Sequence, residues 1–204
     1  MSATPQFQPL RLDRLENQTL ISLIARERIY ESRFWKEKCF GLNAETILDH
    51  GKRLDCVGFL FGGFNKPTEF FCLLVKLIQI KPNVDIVQAY LDHTECRPTN
   101  DLHEQSRDLR YFRALVAVYV RLVASPATAY SLLEPLLKDY RTLFALTPSG
   151  TFERMTMDGF VEMLLDESGE PVYGFQLPHL TRRKLLADRG SIGPFVSVLD
   201  ADIE

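Results

Sequence analysis

A glycine-rich segment followed by a lysine is the first feature whose residue types could do chemistry, by cradling a phosphate. The segment Cys56–Phe64 (CVGFLFGGF) holds three glycines, and Lys66 follows two residues later. The spacing is not that of a nucleotide-binding loop, and Pro67 stands where such a loop needs Ser or Thr. The other side chains are mostly phenylalanine and leucine. We therefore predict that this segment is a buried turn that lets two helices pack closely.

A second candidate for chemistry is a metal site in a polar stretch of the chain. His93, Cys96 and His103 lie close in sequence, with Asp92 or Glu95 nearby. Imidazole, thiolate and carboxylate are the usual ligands of zinc. The spacing matches no common zinc pattern, and isolated His and Cys residues in polar loops usually face solvent. The sequence therefore predicts no metal and no cofactor.

Candidate catalytic groups are equally weak. Glu153, Asp158 and Glu162 form the best helical cluster of acids, but a charged outer helix face explains them better than acid/base catalysis. The only serine between nearby glycines, Ser191, lacks the spacing of a nucleophile elbow. We predict that the protein is not an enzyme.

The most unusual segment is the basic and aromatic run from Arg28 to Leu42 (RIYESRFWKEKCFGL). Aromatic rings beside cations are typical of proteins that bind single-stranded RNA. The same pattern also arises when the aromatics belong to the core and the charges form a solvated face. A second basic face on a later helix allows the same two interpretations; its members are Arg107, Arg110, Arg113 and Arg121.

Composition and charge limit the classes of protein to consider. The chain has 204 residues, 46% of them apolar, and a net charge of −3, which is too balanced for a global grip on nucleic acid or an anionic membrane. The longest stretch without a charged residue, Leu122–Leu133, has 12 residues where a membrane span needs about 20. Neither secretion nor membrane insertion is expected. The spacing of the four cysteines indicates reduced, buried thiols.

Hydrophobic periodicity predicts an all-α fold, a single compact domain of roughly eight to ten helices. Residues 70–80 are apolar on nearly every face and are expected to form the central core helix. Residues 109–123 follow a helical period, and Ser125–Pro126 and Pro135 predict the start and the break of the next helix. Only residues near Thr151–Met155 and Val172–Phe175 could be short strands. We expect a flexible arm at 1–16, a helical domain at 17–190 and an acidic segment at 191–204.

Several segments resemble the pre-mRNA-splicing factor 38 family. The most specific is RIYESRFWKEKCFGLNAE (Arg28–Glu45), and FGGFNKPTEFFCLLVKLIQIKP (Phe61–Pro82) continues it. Further similar segments are YFRALVAVYVRL (Tyr111–Leu122), LEPLLKDYR (Leu133–Arg141), FERMTMDGFVEMLL (Phe152–Leu165) and LPHLTRRKLL (Leu177–Leu186). The resemblance extends from about Asn17 to Arg189.

The resemblance implies an all-helical domain without catalytic activity, which acts in the nucleus as a scaffold during spliceosome activation. The implied partners are spliceosomal proteins: a microfibrillar-associated protein relative, a zinc-finger splicing protein and components of the tri-snRNP. Direct RNA binding through residues 28–42 remains the alternative. The resemblance does not say which matched residues face a partner and which face the core, so the assignment of a docking surface is our own hypothesis. We expect a protein-docking surface at Arg28, Tyr30, Glu31, Trp35 and Lys36, with Arg110 and Arg113 as a second candidate.

Overall fold

The computed structural model describes residues 21–92, 109–168 and 170–193. Its helices are α1 (Leu23–Glu31), α2 (Thr46–Gly51), α3 (Glu69–Ile80), α4 (Val84–Asp92), α5 (Arg110–Val123), α6 (Pro126–Leu133), α7 (Met157–Leu165) and α8 (Arg183–Asp188). A π-helical turn covers Trp35–Cys39, and a 3₁₀ helix covers Glu134–Lys138. The strands are β1 (Val57–Gly58), β2 (Leu60–Phe61), β3 (Lys66–Pro67), β4 (Thr142–Leu146) and β5 (Phe152–Thr156).

The fold is mixed α/β, so the expected all-α class is wrong. One sheet has the order β1-β4-β5, with β1 parallel to β4 and β4 antiparallel to β5, and β2 and β3 form a separate hairpin. The segment Cys56–Phe64, expected to be a turn between helices, contains β1 and β2. Two-residue strands are too short to show an alternating pattern, and β1 pairs with a strand far away in sequence. Local sequence analysis can therefore use neither an alternating pattern nor the strand pairing to detect β1 and β2.

The central helix is α5 rather than the predicted 70–80 helix. Every residue from Ala114 to Val123 is buried, and α3, α4, α6 and α7 all pack against α5. Small residues such as Ala114 and Ala117 allow neighbouring elements to approach α5 closely from several sides. Helix α3 is confirmed as a buried core helix, with exposed positions at Glu69 and Gln79.

Several predicted helix boundaries are confirmed. Ser125 accepts a hydrogen bond from Thr128 N and Pro126 is the first residue of α6, while Pro135 follows the end of that helix at Leu133. The strand expected near Thr151–Met155 is β5. The last helix begins at Arg183, after the chain that leads from α7.

Some predictions concern residues outside the described ranges. The expected arm at 1–16, the residues His93, Cys96 and His103, and most of the acidic segment 191–204 belong to this group. Within the described ranges, no helix is both long and apolar enough to cross a membrane.

Candidate protein-docking groove

A groove of about 850 Å³ lies between α1 with the following π-helical turn and the β2–β3 hairpin. Apolar side chains line it, chiefly Phe34, Leu54, Phe61, Phe70 and Leu146. Charged side chains of both signs also line it: Arg28, Glu31, Arg33, Glu37, Lys38, Arg53, Asp55, Lys66 and Glu69. An apolar lining with a charged border suits a peptide or helix that has one apolar face.

One wall of the groove is set by a sharp helix end at Ser32. The Ser32 hydroxyl donates to the Ile29 carbonyl at 2.6 Å and accepts from Trp35 N at 3.2 Å. The backbone of Ser32 is extended, so α1 ends there and the chain resumes as a π-helical turn. This break places Arg28 on the groove while Trp35 turns inward.

The opposite wall is the β2–β3 hairpin, which is anchored at its base. Thr68 Oγ1 donates to the Gly58 carbonyl at 2.6 Å and accepts from Phe71 N at 3.1 Å, so one side chain joins β1 to the start of α3. At the tip, Gly62 has φ 71° and makes the tight turn without steric cost. The hairpin presents Phe64, with an exposed fraction of 89%.

Two of the carboxylates that line the groove, Glu69 and Asp55, influence each other. Burial, with a smaller contribution from the neighbouring carboxylate of Asp55, raises the pKa of Glu69 above its usual value. A cation brought by a partner would relieve this repulsion. Arginine and lysine side chains on the border offer complementary positions for a partner's acids.

The structure separates the five residues of the first predicted docking surface. Arg28 and Glu31 are exposed and line the groove. Tyr30 and Trp35 pack together, with ring centroids 4.9 Å apart, and the Tyr30 hydroxyl accepts from Gln79 Nε2 at 3.1 Å. Trp35 has an exposed fraction of only 8%. Lys36 is exposed but does not line the groove.

Sequence analysis missed the contribution of the hairpin. Phe64 and Lys66 were interpreted as part of a close-packed turn, and Arg53 and Glu69 had no distinguishing pattern. These residues come together only because β2 and β3 fold back opposite α1. The one available signal was the pair Gly62–Gly63, because two adjacent glycines are typical of a hairpin turn.

Arg110 and Arg113, the second candidate pair, both make contacts within the chain. Arg110 Nη1 donates to the Thr142 carbonyl at 2.9 Å, and Arg113 Nη1 pairs with Asp139 Oδ2 at 2.8 Å. Arg141 Nη2 pairs with the same Asp139 oxygen at 2.6 Å. These bonds fasten α5 to the segment that leads into β4. Both arginines therefore have a structural role within the chain. Their role in docking stays a prediction.

The Asp139 cluster predicts a loss of stability in acid. Burial alone would raise the pKa of Asp139, but hydrogen bonds from Arg141 and Arg113 outweigh it and hold the pKa below the usual 3.8. Because the folded-state pKa is depressed, the stabilisation is complete above about pH 4 and is lost as the pH falls through the folded-state pKa. We expect wild type to exceed Asp139→Asn in free energy of unfolding by about 1–3 kcal/mol at pH 7.

Urea unfolding across this pH range tests the Asp139 prediction. The difference between wild type and Asp139→Asn should shrink below pH 4, while Asp188→Asn, at an exposed position, should resemble wild type throughout. A difference that stays constant from pH 7 to pH 3 would contradict the assignment.

Three cysteines lie within the described ranges, and burial acts on each of their thiols. Burial raises the pKa of Cys39 to about 12, of Cys56 to about 12 and of Cys72 to about 11, so the thiols are held in the protonated form. Cys39 and Cys72 are buried as predicted, and Cys56 is half-buried. No group of three or more His, Cys, Asp or Glu residues in this part of the chain could hold a metal ion.

Comparison with known proteins identifies the family. The model of the PRP38 family matches residues 11–190. The chain belongs to the PRP38 family. This membership confirms the resemblance detected in the sequence.

Curated PRP38-family relatives are similar over most of this chain. Pre-mRNA-splicing factor 38A of Xenopus laevis is 40% identical over 187 residues, which cover 92% of this chain and 55% of the relative. The protein of the same name from Homo sapiens is 38% identical with the same coverage. The chain therefore spans about half the length of these curated relatives.

A solved structure shares the PRP38 fold. A chain in the crystal structure of the Snu23–Prp38–MFAP1(217–258) complex of Chaetomium thermophilum aligns with a TM-score of 0.76 and 37% identity. The alignment covers 89% of this chain and 87% of that chain.

Proposed function

We propose that this PRP38-family domain is a non-enzymatic docking module for spliceosomal proteins, which acts in the nucleus during spliceosome activation. The observation that carries the proposal is the groove, with its apolar lining and its charges of both signs. The similar chain from Chaetomium thermophilum was solved together with Snu23 and a segment of MFAP1, which supports protein partners of the same kind. A microfibrillar-associated protein relative and a zinc-finger splicing protein are thus the proposed partners, alongside components of the tri-snRNP.

The groove best fits an amphipathic helix or extended segment with charges of both signs. The partner's apolar face would lie against Phe34, Phe61 and Phe64, and its acids would meet Arg28 and Arg33. A partner cation would pair with Glu69. Each contact uses a group that lines the groove, and Arg33 would share its guanidinium between Glu37 and the partner's acid.

RNA binding by the 28–42 segment has less support from the geometry. A stacking platform needs exposed rings beside cations, whereas Trp35 is buried and Phe34 is half-buried. Tyr30 and Phe40 remain exposed, so the segment offers fewer stacking rings than its sequence suggests.

Reversal of the charge at Arg28 and Arg33 tests the groove. We expect Arg28→Glu/Arg33→Glu to weaken binding of the MFAP1 segment 217–258 by about tenfold or more, because two cations that face partner acids become repulsive. Isothermal titration calorimetry with the purified chain measures the change.

The matched control is Arg182→Glu/Arg189→Glu. The control changes the net charge by the same amount as the groove variant does. It also removes one exposed ion pair, Arg182–Glu167, just as the groove variant removes Arg33–Glu37. The control should bind the segment as wild type does. Equal loss in both double variants would mean that net charge, not the groove, governs binding, and an absence of binding to wild type would reject this partner. A salt dependence as steep as that of phosphate contacts, seen with an oligonucleotide in place of the peptide, would favour RNA.

A further inference from the structure

Strand β5 is the outer strand of its sheet. Within the described residues the sheet order is β1-β4-β5, so only one side of β5 is paired. The pairing with β4 runs without a bulge from Thr142↔Thr156 to Leu146↔Phe152. Four of the five residues of β5 are exposed, and none is proline. Natural proteins usually protect such an edge, because its unpaired amides can capture another strand.

The hydrogen-bond pattern shows which groups of β5 point outward. Thr147 N donates to the Thr151 carbonyl at 2.9 Å, and Met157 N donates to the Arg141 carbonyl at 3.0 Å. Phe144 N, in contrast, donates to the Tyr111 hydroxyl at 3.3 Å rather than to β5. Since bonded and non-bonded pairs alternate in antiparallel strands, Glu153 and Met155 bond to β4. The N–H and C=O groups of Phe152 and Arg154 therefore face the free edge.

The side chains beside this edge form a basic centre between two aromatic rings. Arg154 is opposite Phe144 in the register, and Phe152 is on the same face of the sheet because strand side chains alternate. Phe144 has an exposed fraction of 46% and Phe152 of 64%. Among the residues with a described position, Arg154 has no ion-pair partner.

A second copy of the chain is a poor occupant of this edge. Antiparallel self-pairing of β5 in full register places Arg154 opposite its own copy. The two adjacent symmetric registers pair only three residues of β5 each, and the one centred on Glu153 places Glu153 opposite its own copy. Like charges directly opposite each other destabilise paired strands. A different partner with a carboxylate opposite Arg154 would form an attractive charge pair at the position where self-pairing in full register is repulsive.

We propose that the free edge of β5 binds an extended segment of a protein partner, which adds a strand to the sheet and places a carboxylate opposite Arg154. The outward amides of Phe152 and Arg154 supply backbone hydrogen bonds, and the two phenylalanines contact apolar side chains next to the acid. RNA has no backbone amides to complete the ladder. This surface is separate from the groove, so its test does not depend on the proposed function.

The test uses a synthetic probe with the core Val-Lys-Glu-Lys-Val, whose symmetry allows either strand direction. Titration of the ¹⁵N-labelled chain with the probe should shift the amide resonances of Phe152 and Arg154 in a saturable manner. Arg154→Pro removes an outward N–H and leaves the bonds to β4 intact, so binding should weaken by about tenfold. Arg154→Glu should weaken it about threefold and should prefer a probe with Lys in place of the central Glu.

Arg189→Glu serves as the control for the change in net charge and should bind the probe as wild type does. Thermal unfolding checks that each variant is folded. If Arg154→Pro does not fold, the binding of Arg154→Glu still decides the test. The proposal is overturned if the probe gives no saturable shifts, if both Arg154 variants bind like wild type, or if an oligouridine shifts the same amides while the probe does not.

Discussion

Replacement of Arg121 by alanine is expected to lower the free energy of unfolding by about 3–5 kcal/mol. Arg121 has an exposed fraction of 4% in the middle of the core. Its Nε donates to the Leu164 carbonyl at 2.7 Å, and its Nη2 donates to the Pro178 carbonyl at 2.6 Å. The residue thus joins α5 to the last turn of α7 and to the chain that leads toward α8.

The large effect follows from what the substitution leaves behind. Leu164 lies in the last turn of α7, where carbonyls lack helical partners and the helix dipole favours a cation. Alanine would leave this carbonyl and that of Pro178 without their donor and would open a cavity. Desolvation by burial lowers the pKa of Arg121, because it is unfavourable to remove the charged guanidinium from water. The two hydrogen bonds offset this desolvation cost.

Chemical denaturation of two further variants separates the contribution of the two hydrogen bonds from that of the buried cation. Arg121→Lys keeps a cation but cannot reach both carbonyls with a planar fork, so we expect an intermediate loss of about 1–3 kcal/mol. Arg189→Ala, at an exposed position, should change the unfolding free energy by less than about 0.5 kcal/mol. A stability of Arg121→Ala within 1 kcal/mol of wild type would contradict a clamping role.

Gly51→Ala is expected to destabilise the protein by about 2–4 kcal/mol, the second large effect. A Cβ at Gly51 would overlap Cδ2 of Phe112 and would lie 2.7 Å from its Cγ. Phe112 is fully buried on α5 and packs edge-on against Tyr90, with ring centroids 5.1 Å apart. Because the Phe112 ring is enclosed in the core and packs against Tyr90, a methyl group at Gly51 forces the ring or α2 to move.

A double-mutant cycle identifies the cause. Phe112→Leu should cost stability alone, but Gly51→Ala/Phe112→Leu should be more stable than the sum of the two single losses, since the smaller side chain admits the methyl group. Gly41→Ala is the control, because a Cβ there meets no atom within 4 Å. Additive losses in thermal or urea unfolding would show that the clash is not the source of the effect.

Local signals in the sequence predicted the helices well. The N-cap at Ser125 and the break at Pro135 depend on neighbouring residues only, and both appear where expected. The identity of the central helix was wrong because periodicity reports which residues are apolar, not how many elements surround them. Helix α5 has a helical period in its large residues, yet its alanines also pack against neighbours.

The strands and the site depend on contacts that sequence patterns do not carry. Strand β4 received no prediction, since its order relies on pairing with β1 and β5 on either side. Arg121 was grouped with a surface basic face, although the structure surrounds it with carbonyls from two other elements. Arg28 and Glu31 are exposed and line the groove, so their docking role stays a prediction, but the opposite wall of the groove required the β2–β3 hairpin.

The central claim is that the groove docks spliceosomal proteins, and a pull-down from nuclear extract tests it most directly. The bait is the purified chain, compared with Arg28→Glu/Arg33→Glu and the control Arg182→Glu/Arg189→Glu, each before and after nuclease treatment. The account predicts that mass spectrometry finds the MFAP1-like and zinc-finger splicing proteins on wild type and on the control after nuclease, and that the groove variant loses them while still folded. Recovery that disappears with nuclease, or that is equal for all three baits, would contradict it.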